Sequence, residues 1–243
     1  MLVLALDTTT RVGSVAAARD GRVVDLLQGD PSRPHAERLP GDLIRVLDLA
    51  GLRMSDVDAF AVAIGPGSFT GLRIGIAAIQ GCAFAAGRPV LGVSALEALA
   101  LAAPGVWSGP PLSRIGVWMD AQRQEVFSAL YEIREAGPET RLHVIEDSSV
   151  GDPAETAERW HRLAAGARFP VIGDGAARYR DALERAVGMP APVIQPPPLA
   201  PVIAQVATRR IEAGEGMLPH AIRPLYVRRP DAELARDRRR AGS

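Results

Sequence analysis

Three stretches of this chain hold residues whose type and spacing could do chemistry. The first is Asp7-Thr8-Thr9, which follows an apolar run at 2–6. A carboxylate beside hydroxyls and free backbone amides at a strand end can hold phosphate or orient a metal-bound water. The same residues can equally form a turn that satisfies its own backbone. The second is Gly65-Pro-Gly-Ser-Phe-Thr-Gly71, between an apolar segment and a helix-forming one. Gly65, Gly67 and Gly71 let the backbone bend and approach another surface, and Ser68 or Thr70 can cap the helix that follows. Free amides at that helix start attract anions, although a tight strand-to-helix turn would need the same residues. Arg73, one turn in, suits a phosphate or a partner's carboxylate. The third is Gly173-Asp-Gly175, a candidate adenosine-pocket turn and also a common turn.

What is missing narrows the chemistry further. All 28 basic residues are arginine, set against 28 acids, and the 243 residues include no lysine and no asparagine. A P-loop lysine, a Schiff-base lysine and a lysine general base are thereby excluded. His35, His143, His161 and His220 form no zinc-binding spacing, and the lone Cys82 cannot build a disulfide or a multi-cysteine site. Zero net charge argues against coating nucleic acid by bulk electrostatics. The arginines at 228, 229, 236 and 238–240 could meet phosphates or simply form a solvated terminus.

The elements that must position these residues follow from periodicity. Strands are predicted at 2–6, 14–18 and 22–27, with Asp20-Gly21 turning a tight hairpin between the last two. Leu39, Leu43, Val46, Leu47 and Ala50 mark an amphipathic helix over 35–50, its start weakened by Pro40 and Gly41. A strand at 59–64, a small-residue helix at 69–86, a strand at 89–93 and a helix at 95–102 come next. Residues 104–111 read as a linker. Beyond it lie strands at 115–119, 125–131, 141–145 and 170–172, and helices at 154–164, 179–187 and 202–213. Residues 190–201 read as extended and proline-rich, and Tyr226-Val227 closes the fold. This alternation predicts an α/β protein with a partly parallel sheet, divided as 1–104, 105–227 and a basic, mobile tail at 228–243. No targeting segment precedes Asp7, and the weakly polar run at 74–86 is shorter than a bilayer span, so a soluble cytoplasmic protein is expected.

The helix at 69–86 poses an energetic question. Interior glycine costs about 1 kcal/mol relative to alanine, so Gly71, Gly75 and Gly81 forfeit about 3 kcal/mol together. Gly71, Gly75, Ala78, Cys82 and Ala85 recur at three- and four-residue steps. Close approach of another element along that stripe would offset the cost, either in the chain's own core or across a subunit boundary.

Several motifs together resemble the TsaB (YeaZ) family over most of the chain. They are Leu4-Ala-Leu-Asp-Thr-Thr9, His35 before an amphipathic helix, the glycine loop through Gly75, Pro89-Val-Leu-Gly-Val-Ser94, Met119-Asp-Ala121 with Glu125-Val126, and Pro224-Leu-Tyr-Val-Arg228. The resemblance implies the actin/hexokinase/Hsp70-like (ASKHA) fold, with two lobes each built on a hairpin-led mixed sheet. It implies a non-catalytic role in forming threonylcarbamoyladenosine beside the tRNA anticodon, in partnership with the transferase TsaD and the ATPase TsaE. Contact with tRNA would come only through that complex, and no membrane is involved. Where TsaD holds a metal through two histidines, this chain has Ala95 and Leu99. No metal or cofactor is therefore assigned to the chain itself, and ATP or ADP at the interface of the complex stays open.

The same resemblance makes the helices flanking the glycine loop a docking surface for TsaD, or for a second copy in a homodimer. Leu39, Leu43, Leu47, Leu72, Arg73, Ile76 and Ile79 would form it, with Gly75 and Ala78 permitting close approach. Asp7, Thr8, Thr9, Gly65, Gly67 and Ser68 would line the interlobe cleft or a nucleotide. Two competing readings remain: an active ASKHA phosphotransferase or metallopeptidase-like enzyme, and a stand-alone RNA-binding protein acting through its arginines.

Overall fold

Leu2, Leu4 and Leu6 alternate with Val3 and Ala5, and all five are buried. A strand apolar on both faces must lie between two layers. The computed structural model, which describes residues 1–134, 140–188 and 191–228, places β1 (Leu2–Asp7) in such a position. On one side β1 pairs antiparallel with β2 (Ser14–Arg19), which pairs with β3 (Arg22–Gln28). On the other it pairs parallel with β4 (Ala59–Gly65), which carries β5 (Val90–Ser94). A second sheet repeats this plan. There β6 (Arg114–Asp120) pairs antiparallel with β7 (Val126–Arg134), which pairs with β8 (Arg141–Gly151). Its parallel neighbours are β9 (Val171–Ile172) and β10 (Val193–Ile194). The two strand orders, β3-β2-β1-β4-β5 and β8-β7-β6-β9-β10, correspond strand for strand.

The helices fill the layers between and around these sheets. They are α1 (His35–Leu49), α2 (Phe69–Ala86), α3 (Ala95–Val106), α4 (Pro153–Leu163), α5 (Asp174–Arg178), α6 (Arg180–Val187) and α7 (Ala200–Glu212). Leu2, Leu4, Leu6, Phe60 and Val62 pack against α1 and α2 through Leu39, Leu43, Val46, Leu47, Ile76 and Ile79. On the opposite face Val3, Ala5, Ala59, Ala61 and Ala63 share one cluster with α3, α7 and the β6 residues Ile115, Val117 and Met119. Those alanines leave room for α3 and α7, and larger side chains there would overpack the layer. Beyond the second sheet, Trp118, Val126 and Leu130 pack with Trp160 of α4 and Leu183 of α6. The result is five layers, with α3 and α7 sandwiched between the sheets.

Helix α1 keeps its expected start, and several other elements depart from the sequence-based expectation for identifiable reasons. Helix α1 starts at His35 despite Pro40, because the proline is exposed and removes one backbone bond while buried Arg38 and Leu39 anchor the turn. Helix α3 continues through Pro104 to Val106, into the predicted linker, carried by the buried face of Leu99, Ala102 and Ala103. Strand β8 runs on to Gly151 because β7 pairs with it along that length. Tyr226-Val227 forms no strand, and β10 forms within the run read as extended. Helix α7, expected to belong with the second half, packs on β1, β2, β4 and β5 of the first sheet. Helix α2 is long and apolar enough to cross a membrane by length and composition, and its inner stripe is buried on the first sheet. Of the basic run at 228–243, all but Arg228 lies outside the described residues.

Two of the helical glycines in α2 have an internal reason to be glycine, and one does not. A Cβ on Gly71 would stand 2.2 Å from Thr8 O, and one on Gly75 would stand 2.2 Å from Thr8 Oγ1. Nothing lies within 4 Å of a Cβ on Gly81. In denaturant unfolding of the isolated chain, Gly75→Ala is expected to cost about 1–3 kcal/mol by overpacking. Gly81→Ala is expected to gain about 1 kcal/mol from helix propensity. Equal effects at the two sites would overturn this assignment.

Candidate functional site in the interlobe cleft

Strands β1 and β6 occupy equivalent places in their sheets, and each ends in an aspartate, Asp7 and Asp120. Between the strand ends opens a cleft of about 900 Å³. Thr9, Gly67, Ser68 and Phe69 line it from the first lobe, and Asp120, Gln122, Phe127 and Asp174 from the second. A smaller cavity of about 410 Å³ shares Thr10, Arg11 and Asp174 with it and takes in Asp7 and Leu99. Crevices at the carboxyl ends of strands are where α/β sheets bind ligands.

Asp7 is 3% exposed, and its Oδ1 accepts from Thr9 N at 2.8 Å and Thr9 Oγ1 at 2.6 Å. The turn therefore satisfies its own backbone while lying beside the cleft. Burial raises the Asp7 carboxyl above its ordinary value, and the two bonds from Thr9 oppose that shift. His35 and Arg38 of α1 brace the turn from behind. His35 Nε2 lies 2.9 Å from Thr10 O, and its Nδ1 lies 2.9 Å from Arg38 Nη2. A guanidinium only donates, so Nδ1 accepts and the ring takes the Nε2–H tautomer. Arg38, itself buried, pairs with Asp42 at 2.6 Å and donates to Val12 O.

The glycine loop closes directly onto this turn. Ser68 N donates to Thr9 O at 2.9 Å, and Ser68 Oγ caps α2 by accepting from Gly71 N at 3.2 Å. A Cβ on Gly67 would stand 2.7 Å from Thr9 Cβ, so only glycine admits that approach. Of the residues predicted to line the cleft, Thr9, Gly67 and Ser68 do so and Asp7 lines the adjoining cavity, whereas Thr8 is buried beneath Gly71 and Gly75 and Gly65 faces Leu72 and Leu225.

The residues expected to form a docking surface do not. Leu39, Leu43, Leu47, Leu72, Ile76 and Ile79 are all buried in the chain's own core, and Gly75 faces Thr8. Ala78 is half-buried, and of the expected set Arg73 alone is exposed. Helix α2 is apolar nearly all round, so its period locates stripes without revealing which of them meets the sheet. The exposed residues are others: Phe84 (81% exposed), Ala77, Gly81 and Ala85 on α2, and Ile44 (56%) and Leu49 (58%) on α1.

In the second lobe, Asp174 Oδ1 accepts from Asp120 N at 3.0 Å and Gly175 N at 2.9 Å, and burial raises its carboxyl. A Cβ on Gly173 would stand 2.0 Å from Trp118 O, so Gly173-Asp-Gly175 is packed against the end of β6. Asp120 accepts from Gln122 N at 3.0 Å and Tyr179 Oη at 3.2 Å, and pairs with Arg178 at 3.4 Å. Sequence reasoning missed Asp120, Phe127 and Tyr226 as cleft residues. The recurrence of strand, aspartate and hairpin at Asp7 and Asp120 was the signal available. Ala95 and Leu99 are buried, and among the described residues no group of three or more His, Cys, Asp or Glu is placed to hold a metal.

Two sheets of matching order around shared central helices, with a cleft at their aspartate-ended strands, define a protein of the ASKHA class. The fold recurs in component A of (R)-2-hydroxyglutaryl-CoA dehydratase from Acidaminococcus fermentans, with a TM-score of 0.51 at 13% identity over 87% of this chain and 99% of that one. A profile of the family described as tRNA N6-adenosine threonylcarbamoyltransferase, TsaD, matches residues 30–235. The tRNA threonylcarbamoyladenosine biosynthesis protein TsaB of Escherichia coli K12 is 35% identical over 175 residues, 72% of each chain. The structure of YeaZ from Pseudomonas aeruginosa superposes with a TM-score of 0.75 at 33% identity, covering 93% of this chain and 99% of that one. This chain belongs to the TsaB (YeaZ) family.

The buried Asp7 gives a pH test. A carboxyl raised in the folded state contributes stability that is present in acid and is lost as pH rises through its folded value. Asp7→Asn retains an oxygen to accept from Thr9 and carries no charge. It is expected to raise Tm at neutral pH by a few degrees, with the gain shrinking as the solution is acidified. A gain that grows in acid would contradict this account.

Proposed function

We propose that this chain is a non-catalytic, cytoplasmic subunit for threonylcarbamoyladenosine formation on tRNA, docking onto a TsaD paralogue through the outer face of α1 and α2, with TsaE completing the assembly. One observation carries the reading: the exposed sides of α1 and α2 carry large apolar side chains, with Glu37, Arg45 and Asp48 beside them on α1, and glycines for which the chain has no internal use. Gly41 in α1 and Gly81 in α2 are both exposed, and a Cβ on either would meet nothing within 4 Å. Each costs its helix about 1 kcal/mol relative to alanine. Ile44 and Phe84, each three residues beyond one of these glycines, are exposed, as is Leu49, and burying one such side chain is worth about 1.5–3 kcal/mol. A helix pair arriving from another subunit would use both features.

The absence of catalysis in this subunit is supported by Ala95 and Leu99, whose side chains cannot ligate a metal, and by the inward-turned, self-satisfied Asp7 turn. A second reading, a phosphotransferase acting in the cleft, draws on Asp120 and Asp174 facing Thr9 and Ser68 across it. ATP turnover by the chain alone would favour that reading, whereas nucleotide bound only in the mixed complex would favour the first.

Mixing the chain with its TsaD paralogue is expected to give a heterodimer by mass measurement, and a homodimer that persists would assign the face to a second copy instead. Phe84→Glu is expected to weaken the association roughly 30-fold, the equivalent of losing a contact worth about 2 kcal/mol. The melting of the isolated chain should be unchanged, because Phe84 is outside the core. Full binding by Phe84→Glu together with Ile44→Glu would refute the docking face.

A further inference from the structure

The motif Pro224-Leu-Tyr-Val-Arg228 has no part in the docking face, yet its residues make contacts with both lobes. On α2, Gln80 Nε2 donates to Pro219 O at 2.8 Å and to Ile222 O at 3.2 Å, and Ile222 is buried. Leu225 N donates to Ile64 O at 2.7 Å, just before the glycine loop. Tyr226 Oη accepts from Arg73 Nε at 3.0 Å, and its ring stands 5.4 Å from Phe69, over which the Arg73 guanidinium lies at 4.0 Å. Two residues later the chain has reached the second lobe. There Arg228 donates to Ala121 O at 2.8 Å, pairs with Glu125, and lies 5.6 Å from the Phe127 ring. Residues 225–228 form a wall of the cleft.

We infer that residues 222–228 are a strap that couples the start of α2 to the β6–β7 turn and thereby sets the cleft width. The receiving end is built to respond. Gln122, Arg123 and Gln124 have φ of 59°, 55° and 61°, a conformation that non-glycine residues adopt only when their surroundings hold them. Arg228 bonds to the residues on either side of that run, Ala121 and Glu125. At the other end, Arg73 is exposed one turn before Ala77 on the outward stripe of α2. An occupant that draws Arg73 from Tyr226 removes one of the strap's anchors on the first lobe, after those at Ile222 and Leu225, and the turn in the other lobe loses part of its support. This coupling is a property of the isolated chain and does not depend on which partner docks.

The test is amide hydrogen exchange on the full, isolated chain, read by mass spectrometry in 64–73 and in 121–125. Arg73→Ala is expected to speed exchange about fivefold in 121–125, in the other lobe, and Arg228→Ala to do the same in 64–73. Two gentler variants guard against misfolding: Tyr226→Phe keeps the ring on Phe69, and Glu125→Gln keeps the arginine's bond to Ala121. Both are expected to shift the far segment in the same direction by a smaller factor. If every variant changes exchange only in its own lobe, the strap transmits nothing and the proposal fails. No partner is present, so this outcome is independent of whether the chain binds TsaD.

Discussion

The contact on which the rest depends is the approach of the α2 backbone to the Thr8–Thr9 turn. Gly71 and Gly75 remove the side chains that would hold α2 away, and Ser68 N bonds to Thr9 O. That approach seats Leu72, Ile76 and Ile79 in the first core. It also turns Phe84 and Gly81 outward and brings Arg73 within reach of Tyr226. The helical cost of the inner glycines is thus offset within the chain. A Cβ on Gly81 would meet nothing within 4 Å, so the cost there has no such internal offset.

The second constraint is the doubling of one sheet plan around α3 and α7. Alanines on the inner face of the first sheet admit those helices, and a single apolar cluster joins them to both sheets. Equivalent strands then bring Asp120 to the large cleft and Asp7 to the smaller cavity that shares Thr10, Arg11 and Asp174 with it. Both lobes spend their aspartates on their own turns: Asp7 on Thr9, and Asp120 on Gln122 and Tyr179. A cleft whose carboxylates brace backbone is suited to holding a shape, and the strap at 222–228 ties that shape to the start of α2.

Much of this was legible without coordinates. The unbroken apolar run at 2–6, the glycine loop and the three- and four-residue steps of α1 identified the first sheet and its two outer helices, because local pattern reports local geometry directly. Helix ends were harder: α3 runs past Pro104 because its buried alanines outweigh a local breaker. Strand β8 runs to Gly151 because β7 offers pairing partners that no local pattern records.

The sequence by itself determined that no lysine mechanism operates here and that a small-residue helix follows the Gly65–Gly71 turn, and its motifs carried the resemblance to one family. Only the tertiary structure decided which stripe of that helix meets the sheet, since a helix apolar nearly all round carries no internal mark of inside and outside. Gly75 and Gly81 have the same side chain and similar neighbours in sequence. What distinguishes them is Thr8, which crowds the first and lies far from the second, and that separation arises only when β1 and α2 are packed together.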